Sequence, residues 1–132
     1  MIVVTGSGGL IGSQAVVSFS SKGHDVVGID NNLRSYFFGK DGDVSSTIQS
    51  LKSNKKYQHH NIDIRNFYEL EKLFKKYNKE ITGIIHCAAQ PSHDWACKEP
   101  LTDFSVNALG TNFKPFATNP SPEAGLPSIV CS

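Results

Sequence analysis

Apolar blocks of two kinds alternate along this chain. Residues 2–5 (IVVT) are short, apolar and β-branched and end at a glycine, the pattern of a strand buried on both faces. Residues 10–22 place Leu10, Ile11, Ala15, Val16 and Phe19 near one helical face, and Gly23 stops the run. A second buried strand is predicted at 24–30 (HDVVGID) and a third at 57–63 (YQHHNID). Between them, 31–56 is polar and glycine- and serine-containing, a long connection with room for a short helix around 44–53.

The clearest helix is 66–78. Asn66 stands at the N-cap with Glu69 three residues on, and Leu70, Leu73, Phe74 and Tyr77 follow the i, i+3, i+4, i+7 rule. A fourth strand is predicted at 82–89 (TGIIHCAA) and a helix at 100–113 with Pro100 at its start. Four of the six prolines lie between Pro115 and Pro127, so 114–127 reads as irregular and 128–132 (SIVCS) as a candidate fifth strand. Strands alternating with helices predict an α/β fold: a parallel sheet with helices on both faces, ending after about the fifth strand.

Length and charge narrow the function. One domain is the default for 132 residues, and 13 basic against 12 acidic residues leave net +1. That balance offers no electrostatic reason to expect nucleic acid or an anionic membrane surface. No apolar run approaches a membrane span and the N-terminus has no secretory pattern, which points to the cytoplasm. Cys87, Cys97 and Cys131 form no C-x-x-C and read as inert thiols of a reducing compartment.

The chemistry starts at VVTGSGGLIGS, residues 3–13. Gly6, Gly9 and Gly12 lie between a buried strand and a helix start, where free N–H groups and the positive end of the helix dipole suit a pyrophosphate. Gly6 allows the turn, Gly9 the close approach, and Gly12 the packing of helix on strand. Asp30, at the end of the second strand, is placed to take the adenosine ribose hydroxyls. Asp63, at the end of the third, is placed to accept from the exocyclic amine of adenine. Ala88 and Ala89, at the end of the fourth, let a ring system approach. The expected ligand is a dinucleotide. Asp30 would repel a 2′-phosphate, and although Arg34 offsets that charge in part, the balance favours NAD.

Other constellations are weaker. His59 and His60 are strand neighbours that point to opposite faces, so no metal site is expected. His86 and Cys87 read as a core strand pair rather than a nucleophilic couple. Lys72, Lys75, Lys76 and Lys79 read as a solvated face.

Together "TGSGGLIGS", "GID", "DIR", "HCAAQPS" and "VNALGT" resemble the extended short-chain dehydrogenase/reductase family, the NAD-dependent sugar-nucleotide epimerases and dehydratases. "DNNLRSYFFG", "AAQPSHDWA" and "EPLTDFSVNALGT" resemble its CDP-paratose 2-epimerase (tyvelose epimerase) branch. The resemblance covers about residues 1–112 and implies a Rossmann-type, NAD-binding domain over 1–132. It implies that Gly6, Gly9, Leu10, Ile11 and Gly12 hold the pyrophosphate. Asp30 and Asn31 would hold the adenosine ribose, Arg34 would lie near it, and Asp63 and Ile64 would flank adenine. Ala88, Ala89 and Gln90 would line the path to the nicotinamide, and Asn107 would support the active site. His93, Asp94 and Trp95 become candidates for substrate contact.

The implied partner is a nucleotide sugar, oxidised by NAD and then re-reduced from the other face. The family's Tyr-x-x-x-Lys pair is expected beyond Ser132. The chain is therefore read as lacking that pair, as inactive alone, and as carrying no catalytic residue. Uncovered strand edges predict self-association. Two other classes stay open: a non-catalytic dinucleotide-binding module, and an S-adenosylmethionine-binding methyltransferase fold.

Overall fold

A computed structural model describes residues 1–111 and the backbone of 128–131. Five parallel strands form one sheet: β1 (Ile2–Thr5), β2 (Val26–Ile29), β3 (Tyr57–His60), β4 (Gly83–His86) and β5 (Ser128–Cys131). Their order is β3-β2-β1-β4-β5. The order reverses beside β1, so the chain crosses from one side of the sheet to the other between β3 and β4. In doubly wound sheets the crevice at that reversal, beyond the carboxyl ends of the strands, is where ligands bind.

The alternation of strand side chains explains the two-sided core. Val3, Val27, Ile29 and Ile84 face α4 (Phe67–Tyr77), meeting Leu70, Leu73, Phe74 and Tyr77 together with Ile64 and Val106. Ile2, Val4 and Val26 face the other way, toward Val16 of α1 (Leu10–Ser21) and Leu51 of α3 (Ser45–Leu51). Every residue of β1 and β2 is buried, which is why these strands read as continuous apolar runs.

The N-cap of α4 forms as its spacing predicts: the Asn66 side chain accepts from the Glu69 amide at 3.2 Å. Strand lengths are shorter than predicted. β3 stops at His60 and β4 at His86. Ile62 N–H already bonds back to the His60 carbonyl, at 3.1 Å.

Two short helices lie outside the predicted set: α2 (Arg34–Phe38), and α5 (His93–Lys98), whose N-cap Ser92 accepts from the Trp95 amide. The helix predicted at 100–113 is α6 (Pro100–Phe104), followed by one π-helical turn, Ser105–Leu109. The expectations for 114–127 lie outside the described residues. Among the described residues no helix is long and apolar enough to cross a membrane.

Candidate functional site: a cleft at the carboxyl ends of the strands

The loop after β1 is shaped by two contacts that exclude a side chain. Gly6 has φ +65, and a Cβ there would lie 2.7 Å from the Ala88 amide nitrogen. A Cβ on Gly12 would overlap the Gly6 carbonyl, so the first turn of α1 sits directly on the loop. Helix α1 has no side-chain cap and no acidic residue in its first turn. Its first backward bond runs from Ser13 N–H to the Gly9 carbonyl, 2.9 Å. The amides of residues 10–12 precede that bond and have no intrahelical acceptor. Amides in this arrangement are suited to an anion.

Asp30 fixes the loop from the next strand. Its Oδ2 accepts from Gly8 N–H at 2.9 Å and its Oδ1 from Asn32 N–H at 2.7 Å. Asp63 lies one strand further out. It accepts from Asn31 Nδ2 at 3.1 Å and is gripped by Arg65, whose Nη2 donates to Oδ2 at 2.6 Å and whose Nε donates to Oδ1 at 2.9 Å. Burial alone would raise the Asp63 pKa. The hydrogen bonds and charge of Arg65 outweigh it and hold the carboxyl below its ordinary value. Oδ1 also receives the Arg65 backbone N–H at 2.9 Å, so each carboxylate oxygen already meets at least two donors. An adenine amine would have to share Asp63 with Arg65, a constraint the sequence does not display.

Both acids and the glycines border one cavity of about 420 Å³. That volume is within the range of small-molecule and cofactor sites, roughly 300–1,000 Å³. Gly6, Gly9, Leu10, Ile11, Gly12, Asp30, Asn31, Arg34, Asp63, Ile64, Ala88 and Ala89 all line it. Sequence reasoning missed Leu33, Phe37, Val44 and Ile62, the apolar wall contributed by the connection after β2 and the exit of β3. The Arg34 guanidinium stacks over Phe38, 4.7 Å from the ring centroid, at the same wall.

Gln90 and Asn107 take a different place. Neither lines the cavity. Asn107, in the π turn, accepts from Gln90 N–H at 2.8 Å and donates to the Gln90 carbonyl at 3.0 Å. The buried Gln90 side chain turns inward and donates to the Ser92 carbonyl at 2.9 Å and to Asp103 at 3.1 Å. Gln90 is therefore a brace of the loop after β4, and its side chain is directed away from the cavity lining. His93, Asp94 and Trp95 also stand outside the cavity lining. His93 and Asp94 are exposed, and the Trp95 indole N–H donates to the Phe37 carbonyl at 2.7 Å.

A second brace lies beneath. Thr111 donates to the Asn107 carbonyl at 2.7 Å, so its oxygen is the acceptor for His86 Nε2–H at 3.1 Å. His86 Nδ1 then accepts from the Thr5 hydroxyl at 2.6 Å, and that hydroxyl accepts from the amides of Cys87 and Ala88, each at 3.2 Å. Burial holds the His86 pKa below its ordinary value, which keeps the ring neutral as this chain of bonds requires.

The reading that the chain lacks the Tyr-x-x-x-Lys spacing is also corrected. Tyr36 precedes Lys40 and Tyr68 precedes Lys72 at that spacing. Neither pair borders the cavity. Tyr68 is 72% exposed on α4. Tyr36 donates to Glu99 at 2.8 Å, and that bond raises its pKa, the opposite of what an activated phenol needs. His59 bonds the Tyr57 hydroxyl at 3.1 Å, while His60 packs edge-on against the Tyr77 ring. Among the described residues no group of three His, Cys, Asp or Glu could hold a metal ion.

Residues 2–112 match the model of the NAD dependent epimerase/dehydratase family. The chain belongs to this family. Its cofactor is NAD. UDP-glucose 4-epimerase of Drosophila melanogaster is 30% identical over 112 residues, 84% of this chain and 31% of that protein. UDP-glucuronate 4-epimerase of Thermodesulfobacterium geofontis is 30% identical over 112 residues, 83% of this chain and 32% of that protein. Among solved structures, the UDP-glucose 4-epimerase of Thermus thermophilus in complex with NAD aligns with a TM-score of 0.64 at 28% identity, over 83% of this chain and 30% of that one. The chain thus spans about a third of the length of these relatives. The Rossmann-type parallel sheet is the fold of this epimerase family.

Proposed function

We propose that residues 1–132 are the NAD-binding part of a nucleotide-sugar epimerase. The single observation that carries this reading is that the uncapped start of α1, Asp30 and Asp63 border one cavity. The amides of Leu10, Ile11 and Gly12 seat the pyrophosphate. Asp30, held by two backbone amides, presents fixed negative charge to the ribose hydroxyls and disfavours a 2′-phosphate. Arg34 lies at the ribose side, Asn31 steadies Asp63, and Ile64 with Asp63 flanks adenine. Ala88 and Ala89 leave room for the nicotinamide half, while Gln90 and Asn107 hold that segment's backbone.

When bound, NAD supplies hydride acceptance from, and return to, a sugar carbon. This chain's residues bind and orient, and His93 and Asp94 stay substrate-side candidates. The substrate we propose is a nucleotide sugar of the CDP-paratose type, on the resemblance of "DNNLRSYFFG" and "AAQPSHDWA". Homo-oligomerisation in the cytoplasm accompanies this reading.

Calorimetry with NAD, NADP and S-adenosylmethionine tests the cofactor. Binding of NAD, with NADP at least about tenfold weaker, is expected. Binding of S-adenosylmethionine in preference to NAD would overturn the proposal.

A further inference from the structure

Two segments far apart in sequence both line the cavity. Leu33, Arg34 and Phe37, in the connection after β2, form part of one wall. Cys87, Ala88, Ala89 and Pro91, after β4, form part of another. These strands do not touch, because β1 lies between them. The two segments are nevertheless joined. The Trp95 indole N–H donates to the Phe37 carbonyl at 2.7 Å, and the Tyr36 hydroxyl donates to Glu99 at 2.8 Å. The Trp95 ring lies 5.5 Å from that of Tyr36 and 5.6 Å from that of Phe37. Lys98 Nζ lies over the indole, 5.4 Å from its centroid.

We propose that Tyr36, Trp95 and Glu99 form a clasp that closes the circumference of the cofactor cavity and sets the rate at which the dinucleotide enters and leaves. The inference rests on the reading of this cavity as an NAD site. Phe37 is its coupling element: the ring is buried at the cavity wall while the carbonyl is held from outside by Trp95. Opening the clasp frees the 33–37 wall from the segment after β4. Since neither Trp95 nor Tyr36 lines the cavity, they are positioning residues. Their loss should speed exchange in both directions more than it changes equilibrium affinity.

The chain supplies its own probe, because Trp95 is its single tryptophan. In stopped-flow binding of NADH to the 132-residue chain, Trp95 emission should be quenched by the bound nicotinamide. Trp95→Ala, followed by NADH emission, should release NADH about tenfold faster and take it up several-fold faster, with Kd shifted less than either rate. Tyr36→Phe removes the outer bond, and Glu99→Gln weakens it by replacing the charged acceptor with a neutral one. They should accelerate release about threefold, and they decide the question if Trp95→Ala fails to fold. Wild-type NADH binding with release rates unchanged in the folded variants overturns the clasp and leaves the proposed function standing. Absence of NADH binding to the folded wild-type chain overturns the proposed function, and the clasp with it.

Discussion

The cleft has two sides built by different means. On one side, residues 6–12 and Asp30 form a surface of backbone. Its amides are presented by a glycine turn, and the one carboxylate that touches the loop does so through Gly8 N–H. On the other side, residues 87–91 are held by side chains from distant elements. Thr5 receives two of their amides, and Asn107 clamps Gln90 at both its N–H and its carbonyl. The first side is close-packed because no Cβ fits at Gly6 or Gly12. The second is stiff because several polar groups must all find their partners. A single methyl group should therefore break the first, whereas the second should lose stability one bond at a time.

The largest effect should come from the glycine side. Gly12→Ala forces a Cβ onto the Gly6 carbonyl, where backbone cannot yield cheaply. Destabilisation of about 3 kcal/mol and loss of NAD binding are expected in urea unfolding and calorimetry. A stable, NAD-binding Gly12→Ala chain would show that the loop and α1 are not in contact.

Asn107→Ala should be milder. It removes two side-chain bonds to Gln90 near the surface, at a cost of about 1–2 kcal/mol, and should weaken NAD binding through the wall it releases rather than abolish it. Equal loss from Asn107→Ala and Gly12→Ala would erase the distinction between the two sides.

The smallest effect is a pH dependence. Burial lowers the pKa of His86, and likewise those of His59 and His60. As pH falls below their ordinary value of about 6.5 the unfolded chain takes up protons first, so stability present above that pH is lost below it. Thermal unfolding should therefore be easier at about pH 5.5 than at about pH 7.5, and His86→Gln should narrow the difference. A melting temperature flat across that window would remove the neutral His86 from the brace between Thr5 and Thr111.

The sequence by itself determined the strands, the α4 cap and the glycine turn after β1, because each depends on residues close together in the chain. A glycine next to a buried strand, or an Asn three residues before a Glu, has the same consequence almost wherever it occurs. Two short helices escaped that reading. α2 lay in a polar stretch with no apolar period, and α5 announced itself only by Ser92 at its cap. Tertiary structure alone decided which polar side chains face the cleft. Gln90 and Trp95 lie near it in sequence, yet each turns away, because a buried amide and an indole N–H are satisfied elsewhere, by Asp103 and by the Phe37 carbonyl. Tertiary structure likewise set Asn31 on Asp63, 32 positions away, a bond that engages the carboxylate before any nucleoside reaches it. Such choices are settled by partners distant along the chain, and the cost of leaving a buried polar group unpaired selects them only once the fold has closed.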